Sequence, residues 1–239
     1  MKIDQPRPLG LSTGCLNPFI SPYDPEAPVI IAQQGLSSIE IICAWAEHVR
    51  YLPALVPLVS KFTVKTLHLP FDIQYDNNRE VRNLLRLLSE FYQAVGASLA
   101  IVHPDLVNNW NIFKGRPMRL AVENMDNQKQ HYRMPEDFIE FFSKYPDWFL
   151  TLDLSHCFSN DSSLALVGRF TELFTDRIAE IHLSGHSRGG SHTPLYIGNQ
   201  KEIIDSLPPG DCPIIIESPF KNIRELRLEL AYIRRYLKI

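Results

Sequence analysis

The sequence predicts an α/β fold, a single (β/α)8 TIM barrel over residues 1–239 with a shortened or missing helix between strands 4 and 5. Three observations predict it. Short apolar, strand-like runs alternate with helical or turn-rich stretches from one end of the chain to the other, the signature of βα units. The chain has 239 residues, close to the about 250 that one such barrel takes. Several of the apolar runs end in a metal-ligating side chain, namely His68, His103, Glu123, Asp153, His182 and Glu217. In this architecture the reactive groups sit at the C-terminal ends of the strands.

Leu9–Gly14 reads as strand 1, and Asn17-Pro18 and Ser21-Pro22 mark a long loop leading to a short helix at Pro28–Gln34. Ile39–Cys43 is strand 2. The helix expected over Trp45–Lys61 is broken by Pro53 and Pro57, each of which removes a backbone donor. Thr63–Leu69 alternates with the strand period. Asn77–Val95 then carries Val81, Leu84, Leu85, Leu88, Phe91 and Tyr92 at helical spacing until Gly96 stops it. Leu99–His103 is strand 4, and residues 104–117 leave room for only a short helix, or none, before strand 5 at Arg119–Glu123. Met134–Tyr145 is a helix with a proline in its first turn. Phe149–Phe158 reads as a buried strand, followed by a helix at Asp161–Phe174 and strand 7 at Ile178–Leu183. Ser184–Gly198 is a long loop rich in glycine and serine, expected to close over a ligand. Pro213–Glu217 is strand 8, and Ile223–Leu237 is a closing amphipathic helix.

Composition narrows the function classes. The 45% hydrophobic and 21% charged content is that of a soluble globular chain, and no apolar run approaches the roughly 18 residues of a membrane span. Met1–Gly10 contains no apolar leader segment, so the expected location is cytoplasmic. Cys15, Cys43, Cys157 and Cys212 show no C-x-x-C spacing and are expected as reduced thiols. A net charge of −3 gives no global attraction to nucleic acid and leaves only a local basic patch to recruit it.

Glu123, Asp153, His182 and Glu217 close four successive strands, so a barrel converges them within reach of one divalent cation. A lone strand-end histidine such as His68 or His103 is ordinarily a hydrogen-bonded structural residue. Four convergent ligands are a different matter, because carboxylates in a barrel mouth are costly without a cation or hydrogen bonds.

The segments Leu67-His-Leu-Pro-Phe71, Val102-His-Pro104, Val122-Glu-Asn124, Leu152-Asp-Leu-Ser-His156, Ile181-His-Leu183 and Ile216-Glu217 resemble, in this order, the xylose isomerase-like TIM barrels. That superfamily holds endonuclease IV (AP endonuclease family 2) and the sugar isomerases and epimerases. The resemblance implies that Glu123, Asp153, His182 and Glu217 bind a divalent ion (Mn, Zn, Co or Mg). Like the epimerases, the chain would then use Glu123 and Glu217 as the catalytic pair, exchanging a proton with a small sugar or hydroxy-carbonyl compound. His156, Arg188, His192 and His68 would contact this carbohydrate-like substrate. The endonuclease IV alternative adds a second site at His68 and His103 beside Glu123 and implies a zinc phosphodiesterase acting on abasic-site DNA. Its third zinc is held by residues like His156 and His192 together with an aspartate. Gly190 stands where that aspartate is expected, so this site is expected to lack a ligand. A metal-binding barrel without catalysis is the third reading, since fold alone does not carry function.

Overall fold

The apolar runs pair side by side, in parallel, and the sheet closes on itself. In the computed structural model, which describes residues 7–187 and 190–238, the barrel strands are β1 (Leu9–Ser12), β2 (Ser38–Ile42), β3 (Val64–His68), β4 (Leu99–Val102), β5 (Leu120–Glu123), β6 (Phe149–Asp153), β7 (Ile178–Leu183) and β10 (Ile214–Ile216). Their order is β1-β10-β7-β6-β5-β4-β3-β2 in a closed ring. The helices are α1 (Glu26–Gln33), α2 (Arg79–Val95), α3 (Pro135–Lys144), α4 (Leu154–Asn160), α5 (Ala165–Phe174), α6 (Leu195–Gly198), α7 (Lys201–Asp205) and α8 (Ile223–Leu237). Among the described residues no helix is long and apolar enough to cross a membrane.

Local chemistry explains the boundaries. The Asn78 side chain accepts from the N–H of Val81 to start α2, and Gly96 ends it in the left-handed conformation (φ 64°) that glycine adopts without strain. Asn222 caps α8 by accepting from the N–H groups of Arg224 and Glu225. Pro53 and Pro57 leave Ala46–Leu58 as 3-10 turns, and two more short turns, Pro104–Leu106 and Trp110–Phe113, replace the helix between β4 and β5. Gly10 lets the barrel close, since a Cβ there would lie 2.6 Å from the Cβ of Ser38 and 2.7 Å from Cδ1 of Ile215.

Two sequence expectations change. The buried run Phe149–Phe158 is not one strand, for β6 stops at Asp153, whose Oδ1 accepts from the N–H of His156 at 2.6 Å and caps α4. Asp-x-x-His is thus a helical spacing that puts both side chains on one face. Ser184–Gly198 is not a plain loop either. It forms a hairpin of β8 (Gly185–Ser187) and β9 (Gly190–Thr193) followed by α6.

One large core lies between barrel and helices, with Leu11, Ile41, Leu67, Val122, Leu152 and Leu183 facing Leu85, Phe138, Phe170 and Leu230. Inside the barrel the apolar cluster is small, made by Leu99, Ile101 and Ala121 with Phe149 and Ala179 against it. The rest of the buried strand positions include Ser12, Ser38, Glu40, Thr66, Thr151 and Glu180. Barrel interiors ordinarily carry bulky branched residues, so this lining is unusual.

Candidate metal centre

Glu123 at the end of β5, Asp153 at the end of β6, His182 in β7 and Glu217 just past β10 each bring a ligand atom to within 4.8 Å of the others. Three further groups share members with this quartet. His68 and His103 gather with Glu123, His156 and His192 gather with Asp153, and Glu40 and Glu180 gather with His182, under the same distance limit. Glu123, Asp153, His68, His156 and His182 are buried, whereas the side chains of Glu217, His103 and His192 are 12%, 20% and 34% exposed. These three mark the solvent side. A cavity of about 360 Å³ opens there, lined also by Ser12, Cys15, Ile42, Phe71 and Pro219.

The hydrogen bonds decide which nitrogen each imidazole offers. The carbonyl of Leu69 lies 2.9 Å from His68 Nδ1, and the carbonyl of Asn124 lies 2.8 Å from His156 Nδ1. A carbonyl only accepts, so both Nδ1 atoms carry the proton and both Nε2 atoms face the site. His68 Nε2 is 3.3 Å from Glu123 Oε2, and His156 Nε2 is 3.1 Å from His192 Nε2. His182 is turned the other way. Its Nε2 contacts Glu180 Oε1 at 3.3 Å, while Nδ1 has no hydrogen bond and sits 3.0 Å from Glu217 Oε2 and 3.6 Å from Glu123 Oε1. Asp153 Oδ2 likewise has no hydrogen-bond partner. Buried polar atoms are nearly always partnered. Lone pairs aimed at shared points, with the outer nitrogens tied back, are what divalent-ion ligands require.

The electrostatics agree. Without a cation, burial pushes the His68 pKa down, but the hydrogen bond to Glu123 and the charges of Glu40, Glu123 and Glu217 lift it to about 9. His182 is raised further, against the same burial, by Glu217, Glu123 and Glu40. Burial raises Glu217, yet the neighbouring His182 and His192 bring it down to about 2. Asp153 is raised by burial against the pull of His156 and His192. The histidine protons thus balance carboxylates that a cation would balance instead, and the donor set fits a divalent metal.

The hairpin holds His192 at φ 61°, a left-handed conformation that costs a non-glycine residue on the order of 1–3 kcal/mol. Gly190 brings no carboxylate to His156 and His192, but Asp153 lies close enough to both to be a third donor. Gly190 itself has φ 125°, a region suited to glycine, with nothing within 4 Å of an added Cβ. Arg188 lies outside the described residues. Trp110 packs on Phe113, Phe141, Tyr145 and Trp148, away from the cavity. Trp45 and His48 gather with Tyr23 and Tyr51 in a separate surface pocket.

Three contributors were missed. The Asn124 side chain holds the Asp153 backbone, Oδ1 accepting its N–H at 2.7 Å and Nδ2 donating to its carbonyl at 3.0 Å. Glu40 Oε2 and Glu180 Oε1 lie 3.2 and 3.3 Å from His182 Nε2. A carboxylate inside the apolar run Ile39-Glu-Ile-Ile was the legible signal for Glu40.

Structural comparison finds the same barrel in other proteins. Endonuclease IV from Thermus thermophilus superposes with a TM-score of 0.72 at 16% identity, over 98% of this chain and 99% of that one. At this identity the likeness is one of fold, the closed (β/α)8 barrel. The same fold supplies 3-keto-D-glucoside 4-epimerase from E. coli (TM-score 0.66, 12% identity, 96% and 99% covered). It also supplies D-allulose 3-epimerase from Methylomonas sp. (0.61, 15% identity, 99% and 100% covered). No family profile and no curated protein matches the sequence.

Proposed function

We propose that the chain is a phosphodiesterase of the endonuclease IV kind, working with two or three divalent ions. The observation that carries this reading is that Glu123 and Asp153 each belong to two donor groups. Carboxylates shared in this way would serve as ligands to two neighbouring ions, and two-metal sites suit in-line displacement at phosphorus. A single-ion epimerase needs only the quartet and leaves His68, His103, His156 and His192 without a ligand role. Bound ions would supply Lewis-acid stabilisation of charge developing on phosphoryl oxygens. Ionised Glu217, the more open of the two glutamates, and the hairpin's His192 border the space where a phosphodiester would lie. Endonuclease IV from Thermus thermophilus superposes over 98% of this chain and 99% of its own.

Proton transfer on a small sugar or hydroxy-carbonyl compound stands second. It is favoured by Glu123 and Glu217, two carboxylates of the quartet that both line the cavity. The experiment is to incubate zinc- or manganese-loaded protein with an abasic-site duplex and with bis-p-nitrophenyl phosphate, and separately with ketoses in deuterated water. Metal-dependent cleavage that Glu123→Gln abolishes is expected. Deuterium incorporation into a ketose without any phosphodiester cleavage would overturn the first reading in favour of the second.

A further inference from the structure

Beneath the metal ligands the barrel holds two carboxylates that the proposed chemistry does not use. Glu40 on β2 and Glu180 on β7 are fully buried, and their strand neighbours in register are Ser12 and Thr66 for Glu40 and Thr151 for Glu180. Both oxygens of Glu40, Oε2 of Glu180 and the hydroxyls of Ser12, Thr66 and Thr151 have no hydrogen-bond partner. Burying two carboxylates in this way costs several kcal/mol each, so their presence calls for a compensating role.

The contacts indicate one. His68 and His156 have their outer nitrogen fixed by a backbone carbonyl. His182, the one imidazole of the quartet, has no such carbonyl among the described residues; its Nε2 hydrogen-bonds Glu180 Oε1 at 3.3 Å and lies 3.2 Å from Glu40 Oε2, an ion-pair contact without a hydrogen bond. Glu180 lies two residues before His182 on β7, where strand alternation puts both side chains on the barrel's inner face. Glu40 approaches the same nitrogen from β2, on the other side of β1 and β10 in the ring.

We propose that Glu180 and Glu40 are positioning residues, which keep the proton of His182 on Nε2 and turn the Nδ1 lone pair toward Glu123, Asp153 and Glu217. This inference rests on the metal-binding reading of the quartet. A carboxylate behind a ligating imidazole fixes its tautomer and ring orientation and raises its basicity, and removing such a partner typically weakens metal binding about 10–100-fold. Glutamine at position 180 can still accept the Nε2–H through its amide oxygen. Leucine cannot, although it fills a similar volume and removes a buried charge.

The test measures zinc affinity by chelator competition, and thermal unfolding of metal-free protein, for wild type, Glu180→Gln, Glu180→Leu and Glu40→Leu. NMR of the zinc-loaded proteins follows the His182 Nε2–H signal. Expected are zinc affinities about 10–100-fold weaker for the leucine variants, an affinity within a few-fold of wild type for Glu180→Gln, and metal-free stability that holds or rises in the leucine variants. A residue with a merely structural role would instead lose stability and affinity together. The proposal is overturned if the leucine variants bind zinc as tightly as wild type. It is also overturned if an ion remains in Asp153→Asn/Glu217→Gln but leaves on Glu40→Leu, for then the lower carboxylates are themselves a cation site. Wild type that takes up no zinc would refute the metal reading itself, a result distinct from both.

Discussion

Asn124→Ala tests whether the site is held by its surroundings or merely lined by them. The side chain is fully buried, its Oδ1 accepts the Asp153 N–H at 2.7 Å, and its Nδ2 donates to the Asp153 carbonyl at 3.0 Å. Alanine leaves the buried Asp153 N–H unpaired and takes one of two donors from the Asp153 carbonyl, which also begins the α4 hydrogen-bond ladder. An orphaned buried group costs about 1–3 kcal/mol, so the metal-free protein should lose roughly that much, toward the lower end where water enters the vacated volume. Because Asp153 belongs to two donor groups, metal affinity should fall as well, by about 10–100-fold for a residue that orients a ligand. Urea denaturation of chelator-treated protein reads the first effect and competition with a chromogenic chelator reads the second. Asn124→Asp is the control, keeping the acceptor but losing the donor and adding a charge beside Asp153 and Glu123, and it should be no better than alanine. A stability loss under about 0.5 kcal/mol with unchanged affinity would refute the reasoning, since it would mean the Asp153 backbone needs neither bond.

Asp153→Asn and His182→Ala should each strip most of the bound metal, read by elemental analysis; full occupancy in both would remove the quartet from consideration. The metal-free protein should lose stability as pH rises. His68 has a folded pKa of about 9 against an ordinary value near 6.5, so its contribution is complete below about 6.5 and lost through 9. Metal affinity should run the opposite way over the same window, because the ion replaces that proton; thermal unfolding and zinc titration across roughly pH 6–10 check both signs. Glu229 on α8 accepts from the N–H groups of Leu195 and Tyr196 and from Ser218, tying the ends of the hairpin and of β10 together. Glu229→Ala should cost about 1–3 kcal/mol and raise amide exchange at Leu195 and Tyr196; wild-type exchange rates there would contradict this.

The barrel was legible because its strands are apolar runs with a ligand at one end, and because the stub after His103 is too short for a full helix. The quartet was legible for the same reason, since strand ends converge in any closed barrel. What sequence could not give was the turn at Asp153. An apolar run continues through Leu154 and Cys157, and only the capping bond to His156 shows that the chain has become helical there. The hairpin was hidden by glycine and serine, which permit many conformations, and His192 reaches its position only through a left-handed backbone that no sequence pattern announces. Glu40 and Glu180 escaped notice because their partner, His182, is near them only once the barrel closes.

A centre in which Glu123 and Asp153 each serve two ions would hold more than one metal, and counting the ions decides it. Protein purified without chelator, dialysed against zinc and then against metal-free buffer, should retain two or three zinc ions per chain by elemental mass spectrometry, with Glu123→Gln losing more than one. Retention of a single ion, lost whole in Glu123→Gln and untouched by His68→Ala, His103→Ala or His192→Ala, would contradict the account and return the site to single-metal chemistry.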